Sequence, residues 1–299
     1  MYFKHISTRF FHLSKNLCAD KNALAALRKK TGYTFANCKK ALEMHENDLT
    51  KAEKWLQEQA ESLGWSKATK LEGRSASQGL VGVLVQRNIG ALVEINCETD
   101  FVSRNENFRE FVEKTSKACL NYVSDVKETE GNVTKIALES ESLKNLKLED
   151  GKMLSDHLAL LIGKIGENTV LKRAICYKTA DTIKLFGFTH PAPESIDEEG
   201  KVIMGRYGAI AAFNSNTEAS DEVRVIYRKI CQHIVGMNPE KIGDTEIDKP
   251  NEVKDDEKCL IYQDFILDSE MTIGEILKEN NIKIIDFHRF ECGEEVKVN

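Results

Sequence analysis

The sequence contains no C-x-x-C pair. Its eight cysteines, Cys18, Cys38, Cys97, Cys119, Cys176, Cys231, Cys259 and Cys292, are scattered along 299 residues. Such scatter argues against a zinc or disulfide framework and for reduced thiols. No stretch approaches the ~18 uninterrupted apolar residues of a membrane span, so none is expected. Basic charge is short as well: 42 Lys and Arg against 48 Asp and Glu leave a net charge of −6. That sign is wrong for a surface that wraps phosphates, and direct binding of nucleic acid is not expected. The common catalytic signatures are missing: no G-x-x-x-x-G-K-[ST] loop, no G-x-G-x-x-G after a strand, no H-E-x-x-H and no G-x-S-x-G elbow. The histidines lie too far apart for a local metal site. Nothing in the sequence therefore points to an enzyme, a metal, a cofactor or a small-molecule substrate, although a dispersed active site would escape such a search.

What is present begins with a leader. Residues 1–17 hold Lys4, Arg9 and Lys15, with no acid before Asp20, and on a helix Ile6, Phe10, Leu13 and Leu17 share one face. An apolar face opposite a basic, hydroxylated one is the pattern of a mitochondrial transit peptide. Residues 18–63 then read as a small module of three helices. Leu24 and Leu27 share a face, Thr31-Gly32 ends the first helix, and Cys38, Ala41 and Leu42 form the next stripe. Thr50-x-x-Glu53 predicts a capping box opening the third. Residues 64–79, polar and rich in small residues, read as a linker.

The rest of the chain reads as two α+β halves, 80–178 and 179–299, with antiparallel sheets. Leu80–Val85, a turn at Arg87-Asn88 and Gly90–Asn96 predict a hairpin. Ser103-x-x-Glu106 predicts the cap of a helix whose stripe is Phe108, Phe111, Val112, Thr115, Ala118 and Cys119. The plan then recurs. Tyr207-Gly-Ala-Ile-Ala-Ala-Phe-Asn214 mirrors Ile89-Gly-Ala-Leu-Val-Glu-Ile-Asn96, and an amphipathic helix through Val223, Ile226, Ile230 and Ile234 follows it, which argues for an internal duplication. A strand pair around Thr182–His190, a helix capped by Thr272-x-x-Glu275 and a terminal strand over 282–290 complete the second half.

The repeat breaks at one place. After its strand the first copy carries Glu98-Thr99-Asp100-Phe101-Val102, where the second has Ser215-Asn-Thr-Glu-Ala. The shared fold plan thus does not require Asp100-Phe101. Read alone, Phe101 is either a core residue anchoring the loop or a group held outward for a partner.

Taken in order, Leu27-Arg-Lys-Lys-Thr-Gly, Cys38-Lys-Lys-Ala-Leu, Asn96-Cys-Glu-Thr-Asp-Phe-Val, Lys164-Ile-Gly-Glu-Asn and Arg289-Phe with Gly293-Glu closely resemble the elongation factor Ts family. The resemblance covers about residues 20–298 and, with the leader, is to the mitochondrial branch. It implies an N-terminal ubiquitin-associated-like module and an exchange factor, placed in the mitochondrial matrix, for the GTPase elongation factor Tu, bound as a heterodimer. In the family the helical module docks on the nucleotide-binding domain, which carries over to Arg28, Thr31, Gly32 and Phe35, with Ala36 beside it. The T-D-F motif falls on Thr99, Asp100 and Phe101, followed by Val102. The resemblance implies a wedge that disturbs the partner's magnesium and phosphate site, promotes GDP release and is displaced when GTP binds. A histidine contact in the second half carries over to His190. Bacterial members have two methionines where this chain has Phe35-Ala36, and a long helical hairpin where Pro239–Cys259 is polar. The residues alone leave two other readings open: an adaptor using residues 20–63 to hold ubiquitin or a nascent chain, and an enzyme with a dispersed site.

Overall fold

A computed structural model of the chain describes residues 19–33, 35–127, 132–192, 200–215 and 220–295; the expected leader lies outside them. The Asp20 carboxylate accepts from the N–H groups of Asn22 and Ala23 and starts α1 (Lys21–Thr31), which Gly32 ends in the left-handed conformation at φ 71°. Next come α2 (Phe35–Met44) and α3 (Leu49–Leu71). Leu24, Leu27, Cys38, Ala41, Leu42, Ala52 and Leu56 close a small core between the three helices. Two expectations fail here. Asp48, not Thr50, caps α3, taking the N–H groups of Thr50 and Lys51 at 3.0 and 3.1 Å, while Glu53 pairs with Lys30. The helix already begins at Leu49, so Thr50 lies within its first turn, while Asp48, with extended backbone, stands at the cap position. The linker expected over 64–79 is helical as far as Leu71, leaving only residues 72–77 irregular.

The first half opens with β1 (Gln78–Gln86) and β2 (Ile89–Cys97), the expected hairpin, turning at Arg87-Asn88. There follow α4 (Asp100–Ser103), α5 (Glu106–Ser124), β3 (Val133–Glu139), α6 (Ser140–Lys144), α7 (Leu154–Ile165) and β4 (Thr169–Thr179). Phe108, Phe111, Val112 and Cys119 of α5 meet Val93, Ile95 and Leu171 of the sheet in the largest core. The cap of α5 is Asn105 rather than Ser103, whose hydroxyl instead donates to the Asp100 carbonyl at 2.7 Å.

The second half contains β5 (Ile183–His190), β6 (Ile203–Gly205), β7 (Tyr207–Ser215), α8 (Asp221–Met237), β8 (Asp264–Phe265), β9 (Asp268–Thr272), α9 (Ile273–Glu279) and β10 (Ile282–Glu291). The Thr272–Glu275 capping box forms as expected. The sheets run β3-β4-β2-β1-β6 and β10-β7-β5, all antiparallel, with a separate β8-β9 pair. Thus β5 pairs with β7, and β6 crosses over to the first sheet, so the halves interlock beyond a clean boundary at 178. Residues 239–259 form no helical hairpin; a short 3-10 turn at Lys254–Asp256 is their one helical piece.

The duplication is visible in the register. β2 lies between β1 and β4 as β7 lies between β5 and β10. Each outer strand bulges at the matching point: β4 opposite Glu94/Ile95, and β10 opposite the aligned Ala212/Phe213. The two sheets pack face to face through Val81, Val83, Leu92, Leu185, Ile210 and Phe290. Contacts at their centre are reciprocal. A Cβ on Gly90 would lie 2.5 Å from Ile210, and one on the aligned Gly208 would lie 3.2 Å from Leu92, so glycine at both positions lets the sheets approach.

Candidate functional site

β2 is buried through Cys97, and the chain must leave the core there. Burial pushes the Cys97 thiol up to about 12, and its Sγ lies 3.1 Å from the Thr99 carbonyl. Thr99 is extended, and its hydroxyl caps α4 by accepting from Val102 N–H. In the single turn that follows, adjacent side chains point about 100° apart. Val102 therefore enters the core, 6% exposed, while Phe101 stands 79% exposed, more than any other aromatic side chain among the described residues. The outward reading of Phe101 is the one realised. Asp100 is also exposed, and its carboxylate meets Arg104 at 3.0 Å.

The turn is fastened to the loop after α7. Both oxygens of Glu167 lie 3.0 Å from the Thr99 hydroxyl, and Thr99 N–H donates to Oε2 at 3.2 Å. In return Glu98 accepts from Asn168 N–H at 2.7 Å, while the Asn168 amide donates to the Arg74 carbonyl at 2.9 Å. The Lys164-Ile-Gly-Glu-Asn motif thus has a structural partner in Glu98-Thr99. No sequence signal marks this pairing, because hydrogen bonds between residues about seventy positions apart leave no local pattern.

The residues expected to dock the N-terminal module lie close by. Gly32 N–H donates to Arg28 O at 2.9 Å, Thr31 donates to Leu27 O, and Phe35 is 54% exposed. A Cβ on Gly32 would fall 2.7 Å from the Asn107 side chain, so this turn rests on the first turn of α5, just past α4. The structure therefore sets the Gly32 turn against the start of α5, the helix that follows α4 in the chain. Between module and core runs a groove of about 350 Å³ whose lining includes Tyr33, Asn107, Glu110, Lys114, His157 and Lys164. Burial holds the Lys164 ammonium below the ordinary lysine value, Glu110 opposing and Lys114 adding to the effect.

His190 belongs elsewhere. It ends β5, exposed, with its ring 6.2 Å from Tyr207 and its carbonyl accepting from Arg206 N–H. Among the described residues no cluster of His, Cys, Asp and Glu could hold a metal ion, and no helix is long and apolar enough to cross a membrane.

A family model described as "Elongation factor Ts, mitochondrial, N-terminal" matches residues 8–66, and one described as "Elongation factor TS" matches 98–258 and 251–294. The chain is 56% identical over 282 residues to "Elongation factor Ts, mitochondrial" of Aedes aegypti, covering 94% of this chain and 91% of the relative. It is 51% identical over 303 residues to the protein of that name in Drosophila melanogaster, covering 98% and 94%. The corresponding protein of Homo sapiens is 38% identical over 278 residues, covering 92% and 84%. With both of its main regions matched and these relatives aligned over nearly their whole length, the chain belongs to the elongation factor Ts family, among its mitochondrial members.

Proposed function

We propose that the chain is the guanine nucleotide exchange factor of mitochondrial elongation factor Tu, acting in the matrix as a heterodimer with that GTPase. The observation that carries the reading is Phe101, a phenyl ring held in solvent beside a buried Val102 on a fastened turn. The N-terminal module docks through Arg28, Thr31, Gly32 and Phe35, and His190 adds a contact from the second half. Phe101 then enters between two helices of the GDP-bound partner. Asp100, which exchanges its exposed bond with Arg104, sets a negative charge and an acceptor against the groups supporting the partner's magnesium ion. Burying one Phe side chain supplies about 1.5–3 kcal/mol, and each ~1.4 kcal/mol spent on distortion weakens nucleotide about tenfold. The coupling is reciprocal, so GTP rebinding displaces the factor, which acts again.

The test is release of a fluorescent GDP analogue from the partner with excess unlabelled GDP present. Wild type should accelerate release strongly, and the folded variant Asp100→Ala/Phe101→Ala should largely fail to do so. Binding by both proteins with no change in rate would make the chain a holding partner instead.

A further inference from the structure

The turn that presents Phe101 is held from outside itself. We infer that Glu167 is the positioning residue that keeps the ring presented to the partner, an inference that rests on the exchange reading above. α4 is one turn, Asp100–Ser103, and a single turn gains nothing from helix cooperativity. Its own cap is long, with the Thr99 hydroxyl 3.5 Å from Val102 N. An exposed phenyl ring gains by folding back onto apolar surface, so a turn this short would not hold Phe101 at 79% exposure unaided.

The missing support comes from the loop after α7. Glu167 takes both donors of Thr99, hydroxyl and N–H, at 3.0 and 3.2 Å. It is itself well anchored. On one side Gly166 closes α7 in the left-handed conformation with its N–H on Ile162 O; on the other Asn168 is tied to Glu98 and Arg74 before β4 begins. Two carboxylates thus cross between the loops, Glu98 gripping one and Glu167 the other, while buried Val102 serves as the pivot. Removal of Glu167 leaves both Thr99 donors without that acceptor and frees the turn to bring Phe101 down.

The experiment is GDP release from the partner across a range of factor concentrations, with Glu167→Ala, Glu167→Gln, Phe101→Ala and the double variant Phe101→Ala/Glu167→Ala. Glu167→Ala should lower the maximal rate about tenfold, the loss expected when the competent conformer falls to roughly a tenth of the population. The half-saturating concentration should change far less, because the N-terminal module and the second half still hold the partner. Glu167→Gln keeps one oxygen acceptor and should fall between Ala and wild type; it also serves if Glu167→Ala does not fold. In the Phe101→Ala background, Glu167→Ala should cause no further loss, since the carboxylate acts through the ring. A wild-type maximal rate for Glu167→Ala alongside a slow Phe101→Ala would overturn the inference and leave the exchange reading intact. Additive losses in the double variant would overturn it too, by giving Glu167 an effect independent of the ring. Wild-type release by Phe101→Ala would overturn the role of the ring and this inference with it, whereas failure of the wild-type chain to accelerate release would overturn the exchange reading itself.

Discussion

Phe101 and Val102 are chain neighbours with opposite surroundings, and substitutions should separate their roles. Phe101→Ala removes a ring that touches little, so unfolding free energy should stay within about 0.5 kcal/mol of wild type. Val102→Ala empties a core position and should cost about 1.5–3 kcal/mol. Urea unfolding of the two variants checks both values, and a large cost for Phe101→Ala would mean that the ring is packed rather than presented. The oddity of Asp100-Phe101 is legible in the sequence alone, because the second repeat does without the pair. The device that holds the pair out is not: Thr99 and Glu167 meet only once β2, α5, α7 and β4 have folded around them.

Helices and strands are legible where their period is strong, as in β1, β2, α5, α8 and β10, and obscure where one residue serves a tertiary purpose. Gly64 is the clearest case. Among Ser, Lys and Thr it suggests a linker, yet α3 runs straight through it, because a Cβ there would come 2.3 Å from the Ala159 carbonyl of α7. The glycine marks a close helix crossing rather than a break. In an open helix Gly→Ala gains about 1 kcal/mol. Here the obstructing atom is backbone that cannot swing aside, so Gly64→Ala should destabilise by about 1–3 kcal/mol. A rise in melting temperature would contradict the crossing.

A second element-scale device ties the end of the chain to the first sheet. Fully buried Glu94 accepts from Arg173 Nε at 2.6 Å, Asn96 Nδ2 at 3.1 Å and Gly293 N–H at 2.8 Å, and the Arg173 guanidinium stacks 4.1 Å from the Phe290 ring. Of the Arg289-Phe290 and Gly293-Glu294 motif, recognisable in the sequence without an evident purpose, Phe290, Gly293 and Glu294 are part of this clasp, Glu294 meeting Arg173 at 3.2 Å, while Arg289 donates to the Val235 carbonyl instead. Glu94→Ala leaves a half-buried guanidinium short of its acid and should cost about 3–5 kcal/mol in urea unfolding.

For the whole molecule, the seam between the halves also sets a pH dependence. His288 on β10 is held at about 4 rather than the ordinary 6.5, first by burial and then by Lys135 and Arg173, with Asp286 and Glu294 opposing. Burial depresses His233 in the same direction, against the bond to Gln263. As pH falls, the unfolded chain takes up these protons before the native one does. The stabilisation is therefore complete above about pH 6.5 and lost progressively towards pH 4, by roughly 3 kcal/mol for His288. Urea midpoints measured from pH 7.5 to 5 should decline, and His288→Gln should flatten the slope.

Exchange is in the end a property of the entire complex, because a factor that binds GDP-bound and nucleotide-free partner equally well cannot shift nucleotide affinity at all. The most direct measurement is therefore calorimetric: the affinity of residues 18–299 for mitochondrial elongation factor Tu with GDP bound and with nucleotide removed, for wild type and Phe101→Ala. The account predicts much tighter binding to the nucleotide-free form, by the same factor that the chain weakens GDP, and a ratio that collapses towards one in Phe101→Ala. Equal wild-type affinities for the two forms would contradict it.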